Sequence, residues 1–212
     1  MVDPFQPAGP GGNWHLNAVI EDWSELSIAM GFDDAARVLV KYWQENGPND
    51  LLFLPILYNH RHSLEIVLKA AIRESGRLLR WDGHDDPELA SARLDAWLAG
   101  REAGHKLVVL AQRLDDLLAK LELEELPSET HEILTTIHEL DPNGDAFKYS
   151  TVRDPKTKQQ VPAPRPAASH VDVVAMSAHF QEAFGLLAGG VMTVLEQYAD
   201  YLSEMGSDAA DR

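Results

Sequence analysis

The chain has 212 residues, of which 45% are hydrophobic and 25% charged, with a formal net charge of -16 at pH 7 and no cysteine. This composition is ordinary for a globular protein; the lack of cysteine excludes disulfides and thiolate chemistry, and the negative charge disfavours general binding to nucleic acid or anionic lipid. Because no apolar run reaches the length of a membrane span and the first dozen residues lack the features of a signal peptide, we expect a cytoplasmic protein.

Composition along the chain divides it into a body and two ends. The segment 1–14 begins with MVDPFQPAGPGG and is interpreted as a flexible tail. Residues 15–205 are predicted to form one helical domain, which a chain of this length can build around a sizeable core. The polar end at 206–212 is interpreted as a second flexible tail.

Apolar residues recur every three to four positions along most of this domain, which predicts helices. The first six predicted helices cover residues 17–30, 33–46, 49–80, 87–99, 104–121 and 128–140. The third is long, with Pro55 in its early turns, and the stretch WDGHDDPE ends it. Ser128 is expected to be the N-cap of the sixth.

Residues 145–168 have a different pattern, with AFKYSTV followed by RDPKTK and QQVPAPRP. They predict a short β-hairpin, or an extended loop around Arg153–Lys158, inserted into the helical body. Phe147 and Tyr149 lie two positions apart, so on an extended strand they share one face. We expect them to cover the bundle rather than to stack on nucleic-acid bases.

A final long helix is predicted over residues 170–205, about 50 Å in length. Its stripe residues, apolar apart from Ser177, alternate steps of four and three, which is a heptad pattern. They are Val173, Ser177, Phe180, Phe184, Leu187, Val191, Val194, Tyr198 and Tyr201. Gly185, Gly189 and Gly190 admit either a closely packed backbone or a bend. The apolar length exceeds what one chain needs to cover, which predicts a homodimer; the fold class is an all-α bundle with this helix as its spine.

The segment YNHRHSLEIVLK places ionisable side chains in an apolar helix. Helical spacing puts Arg61, His62, Glu65 and Lys69 on one face and directs His60 elsewhere, so the two histidines cannot bind one metal ion. One interpretation is a polar seam in which Glu65 neutralises its basic neighbours. The other is a site in which Arg61 stabilises a phosphate transition state and His62 exchanges protons.

Charge is uneven along the second half of the chain. From Asp115 to Asp145 there are ten acidic residues and one basic residue, whereas from Lys148 to Ala168 there are five basic residues and one acidic residue. Both stretches are predicted to be solvated faces. A contact with RNA, or with an acidic surface of a partner, would have to use the basic stretch, whereas the acidic stretch is a candidate surface for a protein partner.

Three short motifs resemble, in the same order, a family of bacterial HEPN-like helical proteins. They are RHSLEIVLKAAI at 61–72, GHKLVVL at 104–110 and HELDPNGDAFKYS at 138–150, and the resemblance spans about residues 55–150. It implies an HEPN-like helical bundle. Many HEPN proteins are metal-independent RNases of toxin–antitoxin and antiphage systems that work as dimers. Others are inert scaffolds or partners of nucleotidyltransferases.

The resemblance implies an RNase effector of a bacterial conflict system that needs neither metal nor cofactor. The predicted catalytic residues are Arg61, His62, Glu65 and His105, with Lys69, Phe147 and Tyr149 in support. The alternative is a catalytically inactive regulatory or scaffolding subunit that binds a protein partner through its acidic 115–145 face.

HEPN nucleases are marked by an arginine that precedes a histidine by four to six intervening residues. That spacing occurs here at Arg77–His84 and Arg165–His170, whereas Arg61 and His62 are adjacent. Arg165 and His170 lie near the start of the last predicted helix and are kept as reserve catalytic candidates. His105 is expected to open a helix and to bridge to Glu65 or Arg61, either structurally or as part of the site.

Overall fold

The computed structural model describes residues 23–154, 156–165 and 170–210, with side chains as far as Met205. Its α-helices are α1 (Glu25–Asn46), α2 (Phe53–Trp81), α3 (Ser91–Ala99), α4 (Leu107–Lys120), α5 (Ser128–Leu140), α6 (Val173–Gly185) and α7 (Met192–Ala210). Short 3₁₀ turns at Asp50–Leu52 and Pro87–Leu89 precede α2 and α3, and strands β1 (Thr151–Arg153) and β2 (Gln160–Pro162) pair antiparallel. The predicted all-α bundle with a small hairpin is confirmed. Within the described ranges, no helix has the length and apolar character needed to cross a membrane.

The central helix of the bundle is α2, which is surrounded by α1, α4, α6 and α7. Leu57, Leu64, Leu68 and Leu79 are fully buried along its length, as their helical spacing predicts. Pro55 is the third residue of α2, where its missing N–H breaks no intrahelical bond. The predicted long helix is therefore confirmed, and it places the ionisable segment at the centre of the molecule.

The first described helix is a single element, not the two predicted at 17–30 and 33–46. Gly31 lies inside α1 with open space around it, and the helix continues through it. A glycine inside a helix costs about 1 kcal/mol, which the burial of Ala29 and Ala36 against the core offsets. The start of the first predicted helix and the predicted tail at 1–14 lie outside the described residues.

Two helix starts also differ from prediction. Helix α4 begins at Leu107, so His105 lies in the turn before it and does not open it. Ser128 is the first residue of α5, and its hydroxyl contacts the Glu129 carboxylate. Pro127 is the N-cap residue and has no side-chain oxygen with which to accept an N–H bond.

The last helix is continuous over residues 173–210, with a π-helical segment at Leu186–Val191 between α6 and α7. It extends beyond the predicted end at 205, so most of the predicted tail at 206–212 is helical. A Cβ added at Gly185 or Gly189 would meet nothing within 4 Å. Among the described residues, these glycines therefore serve no close backbone approach.

The π-helical segment changes which face of this helix is buried. The predicted stripe is buried from Val173 to Leu187, the second residue of the π-helical segment. After it, Leu195 and Leu202 are buried, whereas the predicted Val194 and Tyr201 are 40% and 54% exposed. A π-helical turn holds an extra residue, so every later side chain is rotated by about 100°. The predicted heptad register is therefore wrong beyond the π-helical segment.

The hairpin is confirmed, with Val152 opposite Val161, but the aromatic pair before it does not lie on a strand. Phe147 and Tyr149 belong to a turn in which the Tyr149 N–H donates to the carbonyl of Asp145. Phe147 is buried in the core, whereas Tyr149 is 59% exposed. The shared face predicted for them is therefore wrong, and Phe147 alone covers the bundle.

Candidate functional site

Arg61 is buried in the bundle, and each of its three nitrogens is bonded within the chain. Its Nε donates to the Asp141 carbonyl at 3.1 Å and lies 3.3 Å from the carboxylate of the same residue. Its Nη1 donates to Glu65 at 2.9 Å, and its Nη2 donates to the carbonyl of His105. Arg61 therefore joins three segments of the chain and is not placed to contact a phosphate.

Glu65 is the buried acceptor at the centre of this arrangement. Its Oε2 accepts from Arg61, and its Oε1 lies 2.8 Å from both Lys69 Nζ and His105 Nδ1. Burial opposes ionisation of this carboxyl, but the hydrogen bond and charge of Lys69, with those of Arg61, outweigh it and hold the pKa of Glu65 below its usual value. Glu65 is thus a fixed negative charge. We call Arg61, Glu65, Lys69, His105 and Asp141 the node.

His105 is the exposed member of the node, with 58% of its side chain in contact with solvent. Its Nδ1 is bonded to Glu65, which leaves Nε2 as the ring nitrogen that can exchange a proton with a bound molecule. A buried carboxylate behind a histidine selects one tautomer and orients the ring. The Glu65–His105 pair therefore has the arrangement of an acid–base site.

The turn after α5 packs directly on the node. Asp141 Oδ1 accepts from the backbone N–H groups of Asp145 and Ala146 at 2.8 and 2.9 Å, which shapes the turn. Gly144 has a φ of 77°, and a Cβ added there would lie 3.3 Å from Arg61. The three segments that carry the HEPN-like motifs thus meet at one place.

His62 is not bonded to Glu65, although the two share a side of α2. Its ring packs edge-on against Phe32 at 4.4 Å between centroids and stacks on Tyr58 at 5.4 Å. Burial lowers the pKa of His62, and the charge of Glu65 only partly opposes this effect. His62 is therefore a neutral ring in an aromatic cluster at pH 7, and the cluster was not foreseen from the sequence.

Sequence reasoning also missed a buried polar chain that contains His60. His60 Nε2 lies 2.7 Å from Ser177 Oγ, and its Nδ1 lies 3.6 Å from Asp33 Oδ1. The order of groups is that of a serine-hydrolase triad, but each of the three residues is only 1% exposed. A substrate has no access to them, so the chain is a structural link between α1, α2 and α6. The sequence signal for this link is that Asp33, His60 and Ser177 each stand as one polar residue on an otherwise apolar face of their helix.

Arg165, one of the two reserve residues, has structural contacts away from the Glu65–His105 pair. Arg165 donates to the carbonyls of Ala146 and Tyr149, which ties the hairpin segment to the turn after α5. His170 precedes the start of α6, and residues 166–169 between it and Arg165 lie outside the described part of the chain. Arg77, of the other spaced pair, is bonded to Glu74 on the surface of α2.

The histidines of α5 do not form a metal site. His131 lies 2.7 Å from the buried Asp115, which also accepts from the backbone of Leu126. Burial and the charge of Arg61 lower the pKa of His138. Over the described ranges, no group of three or more His, Asp or Glu side chains is arranged to hold a metal ion.

Comparison of the chain with protein-family models, with curated proteins and with solved structures gave no match. The HEPN-like resemblance therefore remains a prediction from its three motifs, whose residues the node brings together.

Proposed function

We propose that the Glu65–His105 pair is the centre of a metal-independent acid–base site that cleaves RNA, with His105 as the catalytic residue. The observation that carries the proposal is a buried, charged carboxylate bonded at 2.8 Å to a histidine whose side chain is 58% exposed. Such a carboxylate orients the imidazole and fixes which ring nitrogen faces the substrate. This arrangement suits a general base.

In the proposed reaction, Nε2 of His105 removes the proton from a ribose 2′-hydroxyl. The 2′-oxygen then forms a bond to the adjacent phosphorus, the bond from phosphorus to the 5′-oxygen breaks, and the leaving oxygen takes a proton from water. The products are a 2′,3′-cyclic phosphate and a 5′-hydroxyl. His105 releases its proton to solvent and is ready for another cycle.

Arg61 and Lys69 are positioning residues in this proposal, because their bonds keep Glu65 charged and aligned. Lys148, whose charge acts on His62, is a cation near the aromatic cluster, and a phosphate would have to draw it from its ion pair with Asp145 at 3.1 Å. The net charge of -16 opposes RNA binding over most of the surface, so affinity rests on such local cations. RNA binding should therefore weaken steeply as salt increases.

The resemblance to HEPN proteins supports a setting in a bacterial conflict system, either antiphage or toxin–antitoxin. Both residues of the pair come from one chain. The proposed chemistry therefore does not depend on the homodimer that the sequence predicts.

A second candidate function is a catalytically inactive regulatory or scaffolding subunit. The observation that favours it is that Arg61, the strongest phosphate-binding group near the pair, directs all three of its nitrogens into the protein. In this case the Glu65–His105 bond has only a structural role, as one of the bonds within the node. Function would then lie in contacts with a protein partner.

The experiment is RNA cleavage by purified protein in the presence of a chelator, with labelled single-stranded RNA and detection of 2′,3′-cyclic phosphate ends. His105→Ala and His105→Gln should lower the rate by about a hundredfold or more. His179→Ala, at another exposed histidine, is the matched control and should cleave like the unmodified protein. Expression of the unmodified protein in bacteria should be toxic, and the His105 variants should not be.

Cleavage that persists in both His105 variants would exclude this residue as the catalytic group. An unmodified protein that neither cleaves RNA nor slows growth would favour the inactive subunit. Melting temperatures of all variants show whether a lost activity reflects chemistry or unfolding.

A further inference from the structure

The side chains that the π-helical segment turns outward form a continuous apolar stripe on α7. Val194, Tyr201 and Met205 are 40%, 54% and 56% exposed, and the half-buried Tyr198 lies between them. Their steps of four, three and four residues place them on one face of the helix. Exposed apolar residues that are contiguous, unlike scattered ones, mark interaction surfaces.

The stripe leads at its N-terminal end into a groove with a volume of about 400 Å³. One wall is the π-helical segment, with Leu186 and Val191, and the other is the loop between α4 and α5, with Leu123. Glu122 in this loop has a φ of 57°, a conformation that is rare for a residue with a side chain. A π-bulge and a strained residue are both features that concentrate at functional sites, and here they face one groove.

Acidic side chains surround the groove and the stripe. Glu122, Glu124 and Glu125 are exposed at the groove, and Glu196 and Asp200 are exposed on α7. The sequence has no Lys or Arg between Arg165 and Arg212. An apolar surface with acidic side chains along its border is complementary to a basic amphipathic partner.

We propose that the groove and the stripe together, the docking face, bind an amphipathic helix of another protein that carries apolar anchors flanked by Lys or Arg. The stripe from Val194 to Met205 is about 16 Å long, which matches about three turns of the bound helix. A second copy of this chain is a poor occupant, because pairing α7 with α7 opposes acidic side chains. This inference is independent of RNA cleavage. It proposes where on the acidic surface expected from the sequence a partner binds, and which kind of partner that is.

The test uses a synthetic helical peptide with leucines on one face and lysines beside them, and its binding is followed by fluorescence anisotropy. Val194→Asp and Glu124→Lys should each weaken binding by at least about tenfold. The matched controls are Val38→Asp, at an exposed valine of α1, and Glu102→Lys, at an exposed glutamate before α4. Both controls should bind like the unmodified protein.

Two further peptides separate the contributions to binding. Replacement of the leucines by serine should remove binding, which distinguishes a docking groove from general attraction to an acidic surface. Replacement of the lysines by glutamate should also remove binding. Absence of binding by the unmodified protein, or equal weakening in the control variants, would overturn the proposal. So would a dimeric unmodified protein that becomes monomeric in Val194→Asp, because that result assigns the face to a second copy.

Discussion

Gly144 lies so close to Arg61 that a Cβ at Gly144 would be 3.3 Å from the Arg61 guanidinium. Its φ of 77° is in the left-handed region that favours glycine. We expect Gly144→Ala to lower the free energy of unfolding by about 1–2 kcal/mol through backbone strain, and by more through displacement of Arg61. Urea unfolding measures the sum.

Gly83→Ala separates the two effects. Gly83 has a φ of 89°, but nothing lies within 4 Å of an added Cβ, so this variant carries the backbone strain alone. The loss in Gly144→Ala should exceed that in Gly83→Ala. Equal losses would mean that the turn after α5 does not depend on its fit against the node.

Removal of the Glu65 carboxylate should be strongly destabilising. Glu65→Ala leaves Lys69 without its carboxylate and Arg61 with Asp141 as its one remaining carboxylate, and breaking a buried pair in this way costs about 3–5 kcal/mol. Glu74→Ala is the control, because Glu74 pairs with the partly exposed Arg77 on the same helix and should cost less than about 1 kcal/mol. Chemical unfolding that gives similar losses for the two variants would contradict the description of Glu65 as a buried charge.

Stability should fall as the solution becomes mildly acidic. Burial lowers the pKa of both His62 and His138 from the usual 6.5, so the unfolded chain binds more protons than the native protein just below that pH. The stability contributed by the neutral rings is present above pH 6.5 and is lost as the pH falls toward the folded-state pKa. Glu65, whose pKa is lowered from 4.5, adds a similar loss only in stronger acid.

The measurement is urea unfolding at several pH values between neutral and mildly acidic. His62→Phe keeps an aromatic ring against Phe32 and Tyr58 but cannot take up a proton. Its stability should therefore depend less on pH than that of the unmodified protein. An unchanged pH dependence would show that His62 does not contribute to it.

Two buried serines should respond in opposite ways to replacement by alanine. Ser177→Ala leaves Nε2 of His60 unbonded in the core, which costs about 1–3 kcal/mol. Ser75 is buried with no hydrogen-bond partner for its hydroxyl among the described residues, so Ser75→Ala should be neutral or stabilising. Thermal melting of the two variants decides this, and a comparable drop in both would disprove the assigned roles.

The sequence predicts those parts of the fold that depend on local spacing. The stripe of α2, the hairpin and the grouping of Arg61 with Glu65 and Lys69 all follow from residues a few positions apart. The bond between His105 and Glu65 was foreseen only as one choice between two partners. The order of the motifs along the sequence does not specify which atoms meet when two segments are 40 residues apart.

Other features depend on one extra residue or on distant packing, and the sequence does not reveal them. The heptad pattern runs unbroken through Leu186–Val191, although the π-helical segment there rotates everything that follows. Asp141 is 80 residues from Arg61, and no local pattern links the two. His62 has the spacing to reach Glu65, but it packs with aromatic rings because Phe32 of another helix lies beside it.

The sequence separation within the node also bears on the lifetime of the folded protein. Arg61 Nε bonds a residue 80 positions away, so this contact forms only after α4 has packed on α2 and α5 has packed on α4. Contacts that form late in folding are absent from the transition state, and their loss accelerates unfolding more than it slows folding. In stopped-flow experiments, Glu65→Ala and Gly144→Ala should therefore shorten the time the chain stays folded while refolding proceeds at nearly its original rate.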